Sequence, residues 1–148
     1  MTELADVVII DEAHHFRNRG RRGSEDGKAP SRYYKLYDML DKTVRPKAVF
    51  LLTATPINNS LTDFRHMAEL FTRQDETFFA RTVGVNNFTA YFNRMERQLR
   101  EELGTKEADY SEKIAQAQDL LGGDQLFRQL VVQRSRAYAK ESQIQETG

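Results

Sequence analysis

The stretch "VVIIDEAHHF", residues 7–16, decides the fold, because four consecutive aliphatic residues are followed at once by two acids. The run from Val7 to Ile10 does not alternate with polar residues, a pattern typical of a strand buried on both faces of a parallel sheet. Such strands belong to α/β folds, whose ligands bind beyond the carboxyl ends of the strands. The sequence therefore predicts that Asp11 and Glu12 lie at a ligand-binding edge.

Two adjacent carboxylates at such an edge suit phosphoryl-transfer chemistry. Mg²⁺ needs only one or two protein carboxylates beside substrate phosphates, a role that fits Asp11. A second carboxylate can polarise the water that attacks a terminal phosphate, a role that fits Glu12. Two alternatives are a solvated strand end with incidental acids and a transition-metal site formed by Asp11, His14 and His15.

A second strand is predicted by "KAVFLLT", residues 47–53, and it ends before the turn around Pro56. The segment 17–31 is rich in glycine and charge and is predicted to be an exposed loop. Ser31 is a candidate N-cap for a helix that runs to about Asp41. A crossover of this length permits a parallel pair of strands with the default right-handed connection.

The chain after residue 60 is predicted to be helical, without a further strand. Apolar residues recur there at helical spacing in four segments, and Gly122 and Gly123 separate the last two. The fold class is therefore α/β, a short parallel β-α-β unit followed by a mostly helical C-terminal half. The helical positions are Leu61, Phe64, Met67, Ala68 and Phe71, then Phe88, Tyr91, Phe92, Met95 and Leu99, then Tyr110, Ile114, Ala117 and Leu121, and finally Leu126, Leu130, Val131, Arg134 and Tyr138.

The composition indicates one ordinary domain: 148 residues, 39% hydrophobic and 30% charged. The 22 basic and 22 acidic residues cancel, so any attraction to nucleic acid must come from local patches. The absence of cysteine excludes disulfides and thiolate zinc sites. Because no apolar run approaches the roughly 20 residues needed to span a bilayer and no signal peptide pattern is present, we expect a cytoplasmic protein without a membrane partner.

One local patch is basic and lies in the loop that follows the acidic residues. Only Glu25 and Asp26 offset its positive charge in the loop, so the patch could contact a nucleic-acid backbone. A solvated loop without a partner is the alternative. The patch consists of Arg17, Arg19, Arg21, Arg22, Lys28, Arg32 and Lys35, and the first four are the candidate nucleic-acid contacts.

Two motifs together resemble a known family. "DEAHHFRN", residues 11–18, and "LLTATPINNS", residues 51–60, resemble motifs II and III of superfamily-two helicases and translocases of the Swi/Snf-like branch. The resemblance is specific over about residues 5–71, whereas "LVVQRSR", residues 130–136, is only loosely similar to a later segment of that family. The residues that match beyond the acidic and threonine motifs are Arg17, Asn18, Pro56, Asn58 and Asn59.

The resemblance implies an incomplete RecA-like lobe of an ATPase that moves on duplex DNA. It implies that Asp11 holds the Mg²⁺ of ATP, that Glu12 polarises the hydrolytic water, and that His14 links this site to a coupling segment. Residues 1–72 would form the motif II and III part of the ATP-binding lobe, and residues 73–148 a helical extension of the same lobe. The coupling segment is Thr53, Ala54 and Thr55.

The sequence departs from the family at the phosphate loop. The pattern Gly, four residues, Gly-Lys, then Ser or Thr is absent, and the nearest candidate, Gly27-Lys28, is followed by Ala29. The family places this loop upstream of the acidic motif, and only ten residues precede Asp11. We therefore expect a truncated part of a larger translocase that lacks its phosphate loop and second RecA-like lobe, binds ATP and Mg²⁺ weakly and is inactive alone. A non-catalytic helical protein-interaction module that retains the acidic motif as scaffold is the alternative.

The shortage of strands leads to one more expectation. A parallel pair that normally lies inside a larger sheet has two unpaired outer edges, and open edges attract partners. We expect the chain to self-associate through edge pairing or swapped helices.

Overall fold

Two parallel strands lie in the N-terminal part of the chain. The computed structural model describes residues 5–23, 27–43, 45, 47–54, 57, 60–104 and 113–132. Strand β1 (Val7–Ile10) pairs with β2 (Ala48–Leu51), and the helix α1 (Arg32–Asp41) lies between them in sequence. The register runs from Val7 opposite Ala48 to Ile10 opposite Leu51. The predicted parallel β-α-β unit is therefore confirmed.

Four helices follow the sheet, so the described part of the chain is a mixed α/β structure with mostly helical content. They are α2 (Leu61–Thr72), α3 (Phe88–Leu103), α4 (Ile114–Gly122) and α5 (Gln125–Leu130). Helices α2, α3 and α5 begin at or next to the first apolar position predicted for them, whereas α4 begins at Ile114, the second position of its predicted set, and ends at the predicted glycine pair. Tyr110, Arg134 and Tyr138, which were expected to extend the last two helices, lie outside the described residues.

The main hydrophobic core joins the sheet to the C-terminal helices. Ile10 and Ala13 from the first strand and its turn belong to the same cluster as Phe64, Phe92 and Phe127. The Phe64 ring centroid lies 5.8 Å from that of Phe92 and 5.3 Å from that of Phe127. The aromatic residues at helical spacing are thus packed in the core, as expected, and this core draws on both halves of the chain.

A smaller cluster packs α1 against α2. It contains the buried residues Tyr33, Tyr37, Leu40 and Leu70. The hydroxyl of Tyr33 donates to the carbonyl oxygen of His66 at 2.9 Å. The crossover helix is therefore fixed to the helix that follows the second strand.

The prediction that the strands are buried on both faces is wrong. Val7 is 50% exposed and Ile9 64% exposed, whereas the alternate residues Val8 and Ile10 point into the core. Phe50 of β2, which is 56% exposed, lies opposite Ile9. The reason is that the described helices pack on only one face of the sheet, and a continuous aliphatic run cannot reveal whether a second layer is present.

In the described part of the chain, no helix has the length and apolar character that crossing a membrane requires.

Candidate functional site at the carboxyl ends of the strands

The turn after β1 is bound directly to the end of β2. The Leu52 N–H donates to the Ile10 carbonyl oxygen at 2.8 Å, and the Ala13 N–H donates back to the Leu52 carbonyl oxygen at 2.9 Å. Ala13 is fully buried, while Asp11 and Glu12 are exposed beside it. The parallel register therefore places the two carboxylates next to the residue that precedes Thr53.

Glu12 has an unusual backbone conformation. Its φ of 51° and ψ of 45° lie in the left-handed region, and a single turn of 3₁₀ helix, Ala13–Phe16, follows it. The Glu12 N–H donates to Asp11 Oδ1 at 2.8 Å, which helps to hold this geometry. A residue other than glycine in this region costs about 1–3 kcal/mol, and such residues cluster at functional sites. Both carboxylates are exposed at this turn.

His14 lies beside the second carboxylate. Its Nδ1 is 3.1 Å from Glu12 Oε2, and the side chains are 33% and 62% exposed. The ring centroid of His15 lies 4.2 Å from that of His14. Because the pair is exposed to solvent, it contributes little stability, but it holds an imidazole within proton-transfer distance of Glu12.

The threonine segment begins at the same edge of the sheet. Thr53 is half-buried and Ala54 is exposed. Thr55, the second threonine of the predicted coupling segment, lies outside the described residues, as do Pro56, Asn58 and Asn59. The structure thus places the first part of the segment beside the acidic turn.

The acidic turn fits one metal role better than another. Among the described residues, no group of three or more His, Asp or Glu side chains could hold a metal ion, so Asp11, His14 and His15 do not form the alternative transition-metal site. Asp11 is exposed and offers a carboxylate as a hard oxygen ligand. Such a group fits a Mg²⁺ ion that is bound jointly with phosphate oxygens.

The basic loop separates into inward and outward arginines. Arg21 and Arg22 are exposed, and the Arg22 guanidinium lies 5.5 Å from the ring centroid of Tyr34. Arg17 is half-buried, and its charge acts on the nearby carboxyl of Asp63. Arg19 turns inward and binds a carboxylate of α2. The loop is therefore not a uniform solvated segment.

Glu69 receives Arg19 in the interior. Its side chain is 3% exposed, and its Oε2 accepts the Arg19 Nε–H at 2.8 Å and a second, shorter bond from the Arg19 NH2 group. The Arg65 Nε lies 3.6 Å from Glu69 Oε1. Burial alone would lower the pKa of Arg19, but the hydrogen bond and charge of Glu69 raise it above its ordinary value. The Arg19 guanidinium therefore keeps its positive charge at physiological pH.

Ser31 fastens the loop to the start of α1. Its hydroxyl donates to the Arg19 carbonyl oxygen and accepts the Tyr34 N–H, while its backbone N–H donates to the Arg21 carbonyl oxygen at 2.8 Å. Gly20, with a φ of 62°, passes so close that a Cβ there would lie 2.9 Å from the Ser31 Cβ. Only glycine fits at that crossing.

A cavity lies beside β2, and residues of the acidic turn do not line it. It measures about 510 Å³ and is bounded by β2, α2 and the end of α5, with Leu51, Phe64, Phe71 and Val131 among its walls. Thr53 and Ala54 reach its rim. Its walls are mostly apolar and carry no ionised side chain, so it suits an apolar group and not a triphosphate.

Sequence reasoning missed Glu69 and His66, which bind the loop. Both lie on α2 among the apolar residues Met67, Ala68 and Leu70, so the pattern of this helix was interpreted as core. The available signal was the position of an acid inside an apolar stretch, because a carboxylate buried there needs a partner.

Comparisons of the chain with protein-family models, with curated proteins and with solved structures found no match.

Proposed function

We propose that this chain provides part of the first RecA-like ATPase lobe of a DNA-stimulated, Swi/Snf-like helicase or translocase. The observation that carries the proposal is the backbone pair between Ala13 and Leu52, which joins the acidic turn to the segment beginning at Thr53. A site that couples hydrolysis to movement requires those two segments in contact. The unusual backbone of Glu12 adds support, because strained residues cluster where chemistry occurs.

Each residue of the turn has a proposed role. Asp11 holds the cation, and Glu12 orients and polarises the attacking water through its exposed carboxylate. His14, 3.1 Å from Glu12, orients that carboxylate and connects it to Thr53, Ala54 and Thr55. Mg²⁺, when bound with ATP, neutralises charge on the phosphates. The exposed arginines of the loop contact duplex DNA.

The chain alone is not expected to hydrolyse ATP. The sequence contains no Gly-x-x-x-x-Gly-Lys-Ser/Thr pattern, so ATP lacks the backbone N–H groups and the lysine that supply most phosphate contacts. We propose that a phosphate loop and a second RecA-like lobe come from the larger translocase to which this segment belongs. Mg-ATP should therefore bind tightly only in that larger protein.

The test is Glu12→Gln in a translocase that contains this segment together with those missing parts. The amide keeps the shape of the side chain but removes its charge, so DNA-stimulated hydrolysis should fall by about 10²-fold or more, the scale of one positioned catalytic group. Binding of Mg-ATP should persist. Glu101→Gln, at an exposed position of α3, makes the same change of charge away from the turn and should leave hydrolysis unchanged.

Two results would contradict the proposal. Undiminished hydrolysis by the Glu12→Gln protein would exclude Glu12 as the residue that polarises water. DNA-stimulated hydrolysis by the 148-residue chain alone would show that it does not depend on an external phosphate loop.

A second candidate function is a non-catalytic module that binds a protein partner. The apolar cavity of about 510 Å³ beside β2 favours it, because such a cavity can accept an apolar side chain. In that case Asp11→Asn and Glu12→Gln would leave partner binding intact, whereas Phe71→Asp in the cavity wall would abolish it.

A further inference from the structure

Three residues of the loop 17–23, namely Arg17, Arg19 and Arg21, are hydrogen-bonded to the rest of the protein. The Arg17 carbonyl oxygen accepts a hydrogen bond from His66 Nδ1 at 2.8 Å. Arg19 binds Glu69 through its guanidinium, and Ser31 binds the carbonyl oxygens of Arg19 and Arg21. Two of these attachments belong to α2, the helix that follows the threonine segment. The loop is therefore held to α2 by side chains that are remote in sequence.

The same attachments determine where the remaining arginines lie. Arg19 is directed inward, whereas Arg21 and Arg22 are exposed. The contact of Arg22 with the Tyr34 ring restricts its guanidinium further. Asn18 Oδ1 accepts the Gly20 N–H at 2.9 Å and closes a turn between the inward and outward positions. Two guanidinium groups are thus exposed side by side, and that of Arg22 is oriented by Tyr34.

We propose that Glu69 is a positioning residue for a phosphate-binding surface, because it holds Arg19 inward so that Arg21 and Arg22 face a DNA backbone. This inference rests on the proposed function, which supplies duplex DNA as the partner. Guanidinium groups recognise phosphate oxygens in a fixed, bidentate geometry. Holding the backbone at Arg21 and the guanidinium of Arg22 in place lowers the cost of ordering this segment on binding.

The substitution Glu69→Gln distinguishes a positioning role of Glu69 from a purely electrostatic one, because the two roles predict opposite changes in the affinity for DNA. Removing a carboxylate raises the net charge by one and releases Arg19, so electrostatics alone would tighten binding to DNA. If Glu69 positions the loop, the same substitution should weaken binding by about 5-fold. The measurement is the dissociation constant of the 148-residue protein for a short blunt-ended DNA duplex, by fluorescence anisotropy at low salt.

Two further variants serve as controls for the measurement of DNA binding. Glu102→Gln, at an exposed position of α3, makes the same change of charge away from the loop and should leave binding unchanged or slightly tighter. The double variant Arg21→Gln, Arg22→Gln should reduce the slope of log affinity against log salt by about 2, since each lost phosphate contact contributes about 0.9. Tighter binding by the Glu69→Gln protein, like that of the Glu102→Gln control, would overturn the inference.

Limited trypsin digestion tests the attachment without DNA. Cleavage after Arg21 and Arg22 requires an accessible, freely moving loop, so Glu69→Gln should accelerate cleavage there by about 5-fold or more, while circular dichroism shows that the fold is retained. Equal cleavage rates for wild type and Glu69→Gln would refute the positioning role of Glu69. Failure of the wild-type protein to bind duplex DNA, with accelerated cleavage of the variant, would instead refute the DNA contact in the proposed function.

Arg19→Lys provides a second way to break the pair if Glu69→Gln unfolds. Lysine keeps the charge but cannot reproduce the two bonds to Glu69 Oε2. It should therefore weaken DNA binding and accelerate cleavage of the loop, in the same direction as Glu69→Gln. Wild-type behaviour of Arg19→Lys in both measurements would also overturn the inference.

Discussion

His66 connects α2 to the loop through an imidazole that is only partly accessible to water. Its Nδ1 donates to the Arg17 carbonyl oxygen at 2.8 Å, which requires the proton on that nitrogen. Burial lowers the pKa of His66 below its ordinary value, although the hydrogen bond to Arg17 and the charge of Glu69 oppose the shift. The folded protein therefore favours the neutral imidazole.

This shift makes stability dependent on pH. The unfolded chain binds a proton at His66 near its ordinary pKa of about 6.5, whereas the folded protein does so only at lower pH. The free energy of unfolding should therefore fall as the pH drops below about 6.5, until the folded pKa is also passed. His66→Asn keeps an N–H donor toward Arg17 but cannot titrate, so this part of the pH dependence should disappear.

Urea unfolding at about pH 7.5 and about pH 5.5 measures the effect. The difference between wild type and His66→Asn isolates the contribution of His66 from those of the other titrating groups. An equal loss of stability in both proteins between the two pH values would contradict the assignment.

The four arginines of the loop show how far residue type alone predicts the contacts of a side chain. Arg17, Arg19, Arg21 and Arg22 are separated only by Asn18 and Gly20 and look equivalent, so the sequence predicts all four as nucleic-acid contacts. The structure separates Arg19 from the others because its partner, Glu69, is 50 residues away in the chain. The place of Asp11 was predictable, by contrast, because it depends only on where the adjacent strand ends.

The helices are delimited by side chains that cap their first turns. Ser31 begins α1 and Ser60 begins α2, and the hydroxyl of each accepts a backbone N–H three residues later, at 3.4 Å and 3.2 Å respectively. The two serines differ in one respect. The Ser31 hydroxyl also donates to the Arg19 carbonyl oxygen, so it joins a helix to the loop.

Replacing each serine by alanine should therefore give unequal losses. Ser60→Ala removes only a cap and should cost about 1 kcal/mol. Ser31→Ala removes a cap and a further hydrogen bond, and should cost about 2 kcal/mol. Urea unfolding of the two variants measures the difference, and equal losses would show that the bond between Ser31 and Arg19 contributes nothing to stability.

The positions of the helices could be predicted from the sequence more completely than the burial of the strands. The candidate cap at Ser31 located the start of α1, because a capping signal is local. The burial of β1 could not be predicted in the same way. Whether Val7 and Ile9 are covered depends on a second packed layer, and nothing within the strand encodes that layer.

Among the described residues, the sheet presents an exposed apolar face. Val7, Ile9, Phe50 and Leu52 lie on it and are 50%, 64%, 56% and 51% exposed. Each strand has one hydrogen-bonded neighbour within the described residues, so each has an edge that the sheet itself does not pair. Arg45 and Lys47 lie at the amino end of β2, opposite the acidic turn at the carboxyl end. Two copies arranged antiparallel would match apolar face with apolar face and basic end with acidic end.

We therefore expect the protein to self-associate through this face. The double variant Ile9→Lys, Phe50→Lys places charges on the sheet and should yield a monomer, while the far side of the sheet retains its packing. Met39→Lys, at a 49% exposed position of α1, adds a charge away from the sheet and should leave the association unchanged. Light scattering measures the mass in each case, and a wild-type monomer at high concentration would contradict the expectation.

The parallel register also leads to an expectation about the order of folding. It joins Val7 to Ala48, about 40 residues later in the chain, and this closure costs entropy that no local contact repays. Helices α1, α2 and α3 depend on near neighbours and can form quickly, whereas the strands can pair only after the chain between them has condensed. The contact between Ala13 and Leu52 belongs to that late event. We therefore expect the acidic turn to acquire its geometry after these helices form, so that a nascent chain carries the residues of the site before it carries the site itself.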